Sequence, residues 1–164
     1  MKILYYGGQK SGKSKLAEKK TLELSPDKKP YYIATYDNSF GDKEMQKRVQ
    51  KHQFQREEFF ILIEESRDFV KEIKSDETYL VDCVSMWILN NIEESQEYFL
   101  RELDKLDNID TNIVFVLNNL NEGVIPIDKI SRKYIDLTGV VGQKLASLCN
   151  EVYEVKLGLE QRLK

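Results

Sequence analysis

Cysteine, histidine, tryptophan and proline are all scarce in this sequence, at two, one, one and three residues of 164. The two cysteines, Cys83 and Cys149, stand far apart with no CxxC or Cys/His spacing. That excludes a structural zinc site and leaves two buried free thiols as the expectation. No apolar run approaches the roughly 18 residues of a membrane-spanning helix. The opening Met1-Lys2-Ile3-Leu4-Tyr5-Tyr6 meets glycine too soon to build the h-region of a signal peptide, so it reads as a strand and a cytoplasmic location is expected. Nor is there an excess of one charge: 25 Lys and Arg against 28 Asp and Glu leave a net charge of −3. No basic field is available for a polyanion, and nucleic acid is not an expected partner.

What is present suits a globular chain. Hydrophobic residues make up 41% and charged residues 32%, and the length fits one domain over residues 1–164 with a core around a sheet. Apolar runs alternate with segments of helical period, the mark of a parallel α/β sheet. Strands are expected at 2–6, 30–35, 59–64, 78–82, 112–117 and 151–156. Helices are expected at 13–24, 43–54, 67–74, 84–91, 95–106 and 128–149, the last with a break near Gly139. Two irregular polar loops, 36–42 and 118–126, are the expected carriers of function.

The strongest motif is Gly7-Gly8-Gln9-Lys10-Ser11-Gly12-Lys13-Ser14, which fits G-x-x-x-x-G-K-[ST] between an expected strand and an expected helix. Glycines let consecutive N–H groups turn inward onto phosphates, and the helix N-terminus adds partial positive charge. In such a loop Lys13 binds the β- and γ-phosphates and Ser14 ligates magnesium. A nucleoside triphosphate with Mg2+ is therefore the expected ligand. A second acid at another strand end should share the metal. Asp82 closes Tyr79-Leu80-Val81-Asp82 and fits, although an acid there can equally cap the helix that follows.

His52, the single histidine, is flanked by Arg48 and Arg56 at spacings of four, so on a helix the three share a face. Arginines that bind anionic oxygens and favour a neutral imidazole suit a nucleophile aimed at phosphorus. On spacing alone, a solvated basic face that happens to contain a histidine explains the pattern as well.

Taken together, these segments resemble one family, the bifunctional adenosylcobinamide kinase/adenosylcobinamide-phosphate guanylyltransferases of cobalamin biosynthesis. The resemblance is carried by the phosphate loop; by Tyr32-Ile33-Ala34-Thr35; by Glu44-Met45 with Arg48, His52 and Arg56; and by Glu64-Glu65. It continues through Leu80-Val81-Asp82-Cys83 with Trp87 and Asn90, Gly123-Val124-Ile125-Pro126, and Arg132, Asp136, Gly139, Gln143 and Ala146. It implies a RecA-like P-loop NTPase fold, a mostly parallel sheet flanked by helices, assembled as a homotrimer. It implies that His52 takes GMP from GTP and that adenosylcobinamide phosphate then receives it, giving adenosylcobinamide-GDP. A kinase step from ATP or GTP to adenosylcobinamide would make that phosphate. By position, Gly7 to Ser14, Ala34, Thr35, Arg48, Gln53, Phe54, Gln55, Arg56, Glu64 and Asp82 would contact nucleotide or metal. Glu64 can read guanine through its N1–H and N2–H edge, or be an exposed strand-end acid. Trp87 reads as core, and Asn90 either as helix-surface polarity or as part of the site that the resemblance implies.

The chain also departs from the family pattern. Asn118-Asn119 replaces an Asn-Glu pair, Leu120-Asn121-Glu122 a glycine-rich segment, Gly142 an asparagine, and phenylalanine an aromatic that is often tryptophan in the 59–64 strand. Two further readings follow from the same residues: a P-loop small-molecule kinase in which His52 is structural, and a nucleotide-binding regulatory protein without catalysis.

Overall fold

The computed structural model describes residues 1–37 and 58–164. The helix expected at 43–54 lies outside the described residues.

Among the described residues, seven strands form one sheet: β1 (Lys2–Gly7), β2 (Tyr31–Ala34), β3 (Ile61–Glu64), β4 (Thr78–Asp82), β5 (Asn112–Asn118), β6 (Glu151–Lys156) and β7 (Leu159–Arg162). Their order is β3-β2-β4-β5-β1-β6-β7, parallel throughout except for the antiparallel β7. The central strands are continuous apolar runs because both faces are covered. Alternate residues divide between two cores: Ile3, Tyr5, Tyr32, Leu80, Val114 and Val116 point to one face, and Leu4, Ile33, Val81, Ile113, Phe115 and Leu117 to the other. Helix α1 (Lys13–Glu23) packs on the first face through Ala17. On the second lie α2 (Val84–Asn90), α3 (Gln96–Asp104) and α4 (Lys129–Leu148). Trp87 sits fully buried there, edge-on to Phe69 and Phe99, with its indole N–H donated to the Arg67 carbonyl.

Three expectations are corrected. Residues 67–74 form no α-helix; a single 3₁₀ turn, Phe69–Glu72, stands in its place. Glu65 Oε1 accepts from the N–H groups of Arg67 and Asp68, both at 2.9 Å, and Lys74 N–H goes to the Tyr79 hydroxyl, so the backbone donors are diverted at both ends. Helix α4 runs unbroken through Gly139. A β-carbon on Gly139 would come within 2.9 Å of the Asn121 amide, and one on Gly142 within 3.2 Å of Leu117. These glycines let the helix approach its neighbours closely. Finally, β7 was not expected. Leu157 and Gly158 both take positive φ, 55° and 79°, in a two-residue hairpin turn of the I′ kind. Leucine in the first turn position and the fully exposed Leu159-Glu160-Gln161-Arg162 conceal that hairpin from pattern reading.

Replacing Trp87 by alanine should cost about 3–5 kcal/mol, as expected for loss of a large buried aromatic. Urea denaturation followed by far-UV circular dichroism measures it, since the substitution removes the chain's single tryptophan fluorophore.

Candidate functional site

Parallel pairing brings the carboxyl ends of the strands level. Gly7 of β1 lies opposite Asn118 of β5, while Ala34 of β2 lies between Asp82 of β4 and Glu64 of β3. Neighbouring strands are about 4.8 Å apart, so the Asp82 and Glu64 backbones stand about 10 Å apart on the same edge.

The phosphate loop springs from this edge. Lys10 and Gly12 take φ of 56° and 98°, and Ser11 N–H donates back to Gly8 O at 3.2 Å, wrapping the loop ahead of α1. Gly12 is the N-cap of α1 and has no capping side chain, which leaves the helix-terminal N–H groups available to an anion. Two neighbours brace the loop from outside. Asn119 N–H donates to Gly7 O at 2.8 Å, and Gly158 N–H in the β6–β7 turn donates to Ser11 O at 2.8 Å. A β-carbon on Gly7 would lie 2.5 Å from Val155 O, and one on Gly12 3.1 Å from the Gly158 α-carbon. Glycine at both positions thus permits the hairpin to press against the loop. Gly158 is a supporting residue that the motif search did not single out.

Lys13 is buried and its ammonium donates to Gly8 O at 3.1 Å. Burial lowers its pKa below the ordinary lysine value, opposed by the nearby Cys83 and Asp82. Ser14 Oγ lies 3.5 Å from Asp82 Oδ1, and the Tyr32 hydroxyl donates to Asp82 Oδ2 at 2.6 Å. A serine hydroxyl and a carboxylate are both hard oxygen donors, a pair suited to Mg2+ held together with phosphate oxygens and water. Among the described residues no group of three or more His, Cys, Asp or Glu forms a metal cluster.

A cleft of about 520 Å³ is lined by Gln9 to Lys15 of the loop and α1, with Tyr36, Asp82, Cys83, Met86 and Asn118. Gln9, Lys10, Ser11, Gly12, Lys13, Ser14 and Asp82 therefore line one cleft. Gly7, Gly8, Ala34, Thr35 and Glu64 stand outside that lining. Thr35 is fully buried; its hydroxyl donates to Cys83 O at 2.7 Å and accepts from Cys83 N–H at 2.9 Å, so it holds the backbone after Asp82. Arg48, His52, Gln53, Phe54, Gln55 and Arg56 lie outside the described residues.

Cys149 is buried as expected, but Cys83 is partly exposed in the cleft wall. Burial of its thiol, reinforced by the Asp82 charge, pushes the pKa up to about 12, so it stays protonated and poorly nucleophilic at neutral pH. Asn90 is not surface polarity. It is buried, and its amide nitrogen donates to Thr35 O and Ser66 O, both at 2.8 Å, joining the ends of β2 and β3. Nothing in a polar residue near a helix end distinguishes such a clamp from a solvated asparagine.

The family model described as cobinamide kinase / cobinamide phosphate guanyltransferase matches residues 3–163. The chain is 31% identical over 176 residues to the bifunctional adenosylcobalamin biosynthesis protein CobP of Pseudomonas aeruginosa, covering 100% of this chain and 98% of that protein. It is 27% identical to the bifunctional adenosylcobalamin biosynthesis protein CobU of Escherichia coli, and 27% identical to that of Salmonella typhimurium, each over the full length of both chains. In fold it is similar to a KaiC-like protein of Pyrococcus horikoshii. The TM-score is 0.52 at 13% identity, and the likeness covers 93% of this chain and 69% of that one. That likeness bears out the mostly parallel α/β sheet flanked by helices.

Replacing Lys13 by alanine should weaken binding of a non-hydrolysable GTP analogue at least tenfold, about 1.4 kcal/mol, with little change in melting temperature. Isothermal titration calorimetry measures the first and a thermal scan the second. Because burial depresses the Lys13 pKa, the phosphate-binding ammonium form is lost at lower pH than for an exposed lysine. Wild-type affinity should therefore decline on the alkaline side as pH rises through that lowered value.

Proposed function

The chain belongs to the cobinamide kinase / cobinamide phosphate guanyltransferase family, and from that premise we propose how its residues divide the two reactions. It is a bifunctional enzyme of cobalamin biosynthesis, a cobinamide kinase and a cobinamide phosphate guanylyltransferase. The observation that carries the division is the row of groups along one sheet edge: the phosphate loop, then Asp82, then Glu64.

In the kinase step a side-chain hydroxyl of adenosylcobinamide attacks the γ-phosphorus of ATP or GTP seated on Gly7 to Ser14; a P–O bond forms, the bond to the β,γ-bridging oxygen breaks, ADP or GDP leaves, and the hydroxyl proton passes to solvent. The loop N–H groups and the Lys13 ammonium receive the charge that builds on the phosphate oxygens. Ser14 and Asp82 would hold Mg2+, which when bound would supply charge neutralisation for the phosphate oxygens.

In the guanylyl step an imidazole nitrogen of His52 attacks the α-phosphorus of GTP. A P–N bond forms, the bond to the pyrophosphate oxygen breaks, and pyrophosphate leaves. The terminal phosphate of adenosylcobinamide phosphate then displaces the imidazole and gives adenosylcobinamide-GDP. Arg48 and Arg56 bind phosphate oxygens, and Glu64 accepts from the guanine N1–H and N2–H edge. Gln53, Phe54, Gln55, Ala34 and Thr35 are the remaining nucleotide contacts in this reading. One domain carries both reactions in a homotrimer that works in the cytoplasm. Among the described residues no helix is long and apolar enough to cross a membrane.

Incubation with GTP labelled at the α-phosphate, in the presence of Mg2+, should give an acid-labile, alkali-stable protein adduct with release of pyrophosphate. His52→Ala should take up no label yet still convert cobinamide to its phosphate. A wild-type protein that turns over cobinamide but never carries label would be a P-loop kinase in which His52 is structural.

A further inference from the structure

We infer that Tyr32 is a positioning residue for the metal site, acting through the carboxylate of Asp82. The inference rests on the proposed role of Ser14 and Asp82 in holding Mg2+.

Asp82 is the last residue of β4, where a carboxylate carried on two rotatable bonds can swing between the cleft and the neighbouring strand. Two contacts from β2 and the residue that follows it restrict this. Thr35 fixes the backbone, since its hydroxyl bonds both the N–H and the carbonyl of Cys83, and its own N–H donates to Asp82 O at 3.4 Å. Tyr32 fixes the side chain, donating its hydroxyl to Oδ2 at 2.6 Å. This is the short length of a hydrogen bond to a charged acceptor. Oδ1 is then the oxygen presented toward Ser14, at 3.5 Å.

The sheet dictates that tyrosine at this place can do so. Ala34 pairs with Asp82 and Tyr32 with Leu80, so Tyr32 lies on the same face as Asp82 but one pleat further from the carboxyl edge. A phenol is long enough to cross that diagonal distance. Its ring is 2% exposed and packs edge-on against Phe60, with centroids 5.7 Å apart. The aromatic body belongs to the α1-face core and only the oxygen reaches the site. Orientation of a metal-binding carboxylate by such an outer partner commonly governs metal affinity tenfold or more.

Tyr32→Phe removes the oxygen and leaves the ring. Binding of Mn2+ to the complex with a non-hydrolysable GTP analogue, followed by electron paramagnetic resonance, should weaken about tenfold. Affinity for the same analogue in EDTA should be unchanged, because phosphate-loop contacts are untouched. A purely structural hydroxyl would instead lower the metal-free and metal-bound nucleotide affinities together, or lower melting temperature alone; either result overturns the inference. Asp82→Asn separates this from failure of the underlying site. If Asp82→Asn leaves Mn2+ binding intact, the proposed metal site is wrong and the inference falls with it. If Asp82→Asn weakens Mn2+ binding and Tyr32→Phe does not, the metal site stands and the positioning role alone is rejected. The double variant should bind Mn2+ no more weakly than Asp82→Asn, since Tyr32 acts only through that carboxylate.

Discussion

Everything in the site depends on the register of a parallel sheet. Each parallel strand must return to the same end before it can pair again, and the strands therefore deliver their carboxyl termini to one edge. Here Gly7 pairs with Asn118 and Ala34 with both Asp82 and Glu64. A slip of one residue in β4 would turn Asp82 to the opposite face and bring Val81 to the α1 side. That slip is opposed by the whole core, because Leu80 and Val81 are fully buried on opposite faces and would exchange environments. The placement of a polar residue at the edge is thus enforced by apolar residues that take no part in chemistry.

The phosphate loop is held by a different kind of constraint. Its inner surface must keep N–H groups directed at an anion, so its carbonyls and outer N–H groups have to be managed by neighbours. Ser11 O is taken by Gly158 and Gly7 O by Asn119. The C-terminal hairpin, which reads as a polar tail, is part of the loop's outer wall. Burying Lys13 beside the Gly8 carbonyl costs solvation of an ammonium and lowers its pKa, a cost that triphosphate oxygens at the proposed site would offset.

Much of this was legible in advance, and what was not turns on contacts that a pattern of side chains does not carry. The phosphate loop, the central strands and Asp82 are local signals: a glycine pattern, an apolar run, an acid at its end. The close approach of α4 at Gly139 and the clamp made by Asn90 are decided by partners distant in sequence, while the hairpin turn at Leu157-Gly158 is local but carries leucine where turn patterns expect glycine or asparagine. Gly139 looks like a breaker until Asn121 is found against it. Tyr32 looks like an ordinary strand aromatic until its hydroxyl is found on Asp82, 50 residues away. The 3₁₀ turn at Phe69–Glu72 has a nearer cause, for Glu65 captures the N–H groups of Arg67 and Asp68. A periodicity argument counts side chains and does not follow backbone donors.

Two reactions at different phosphorus atoms make sense on one phosphate loop when the charge is followed. In the proposed kinase step, negative charge develops on the γ-phosphoryl group as it moves to the acceptor. In the proposed guanylyl step the α-phosphorus is attacked, and charge develops on the β,γ-pyrophosphate that departs. Both charges build within the β,γ-diphosphate portion, which the loop N–H groups and Lys13 would cradle. A cradle preorganised for the β- and γ-phosphates lowers the barrier in either case, because its dipoles need no rearrangement between the two. The reactions then differ only in the nucleophile and the direction of its approach. One P-loop can serve both if a hydroxyl meets the γ-phosphorus from one side and an imidazole is supplied to the α-phosphorus by a separate segment. The sequence provides for that division, with the loop at Gly7 to Ser14 and the histidine element at Arg48, His52 and Arg56 as two independent pieces of chain.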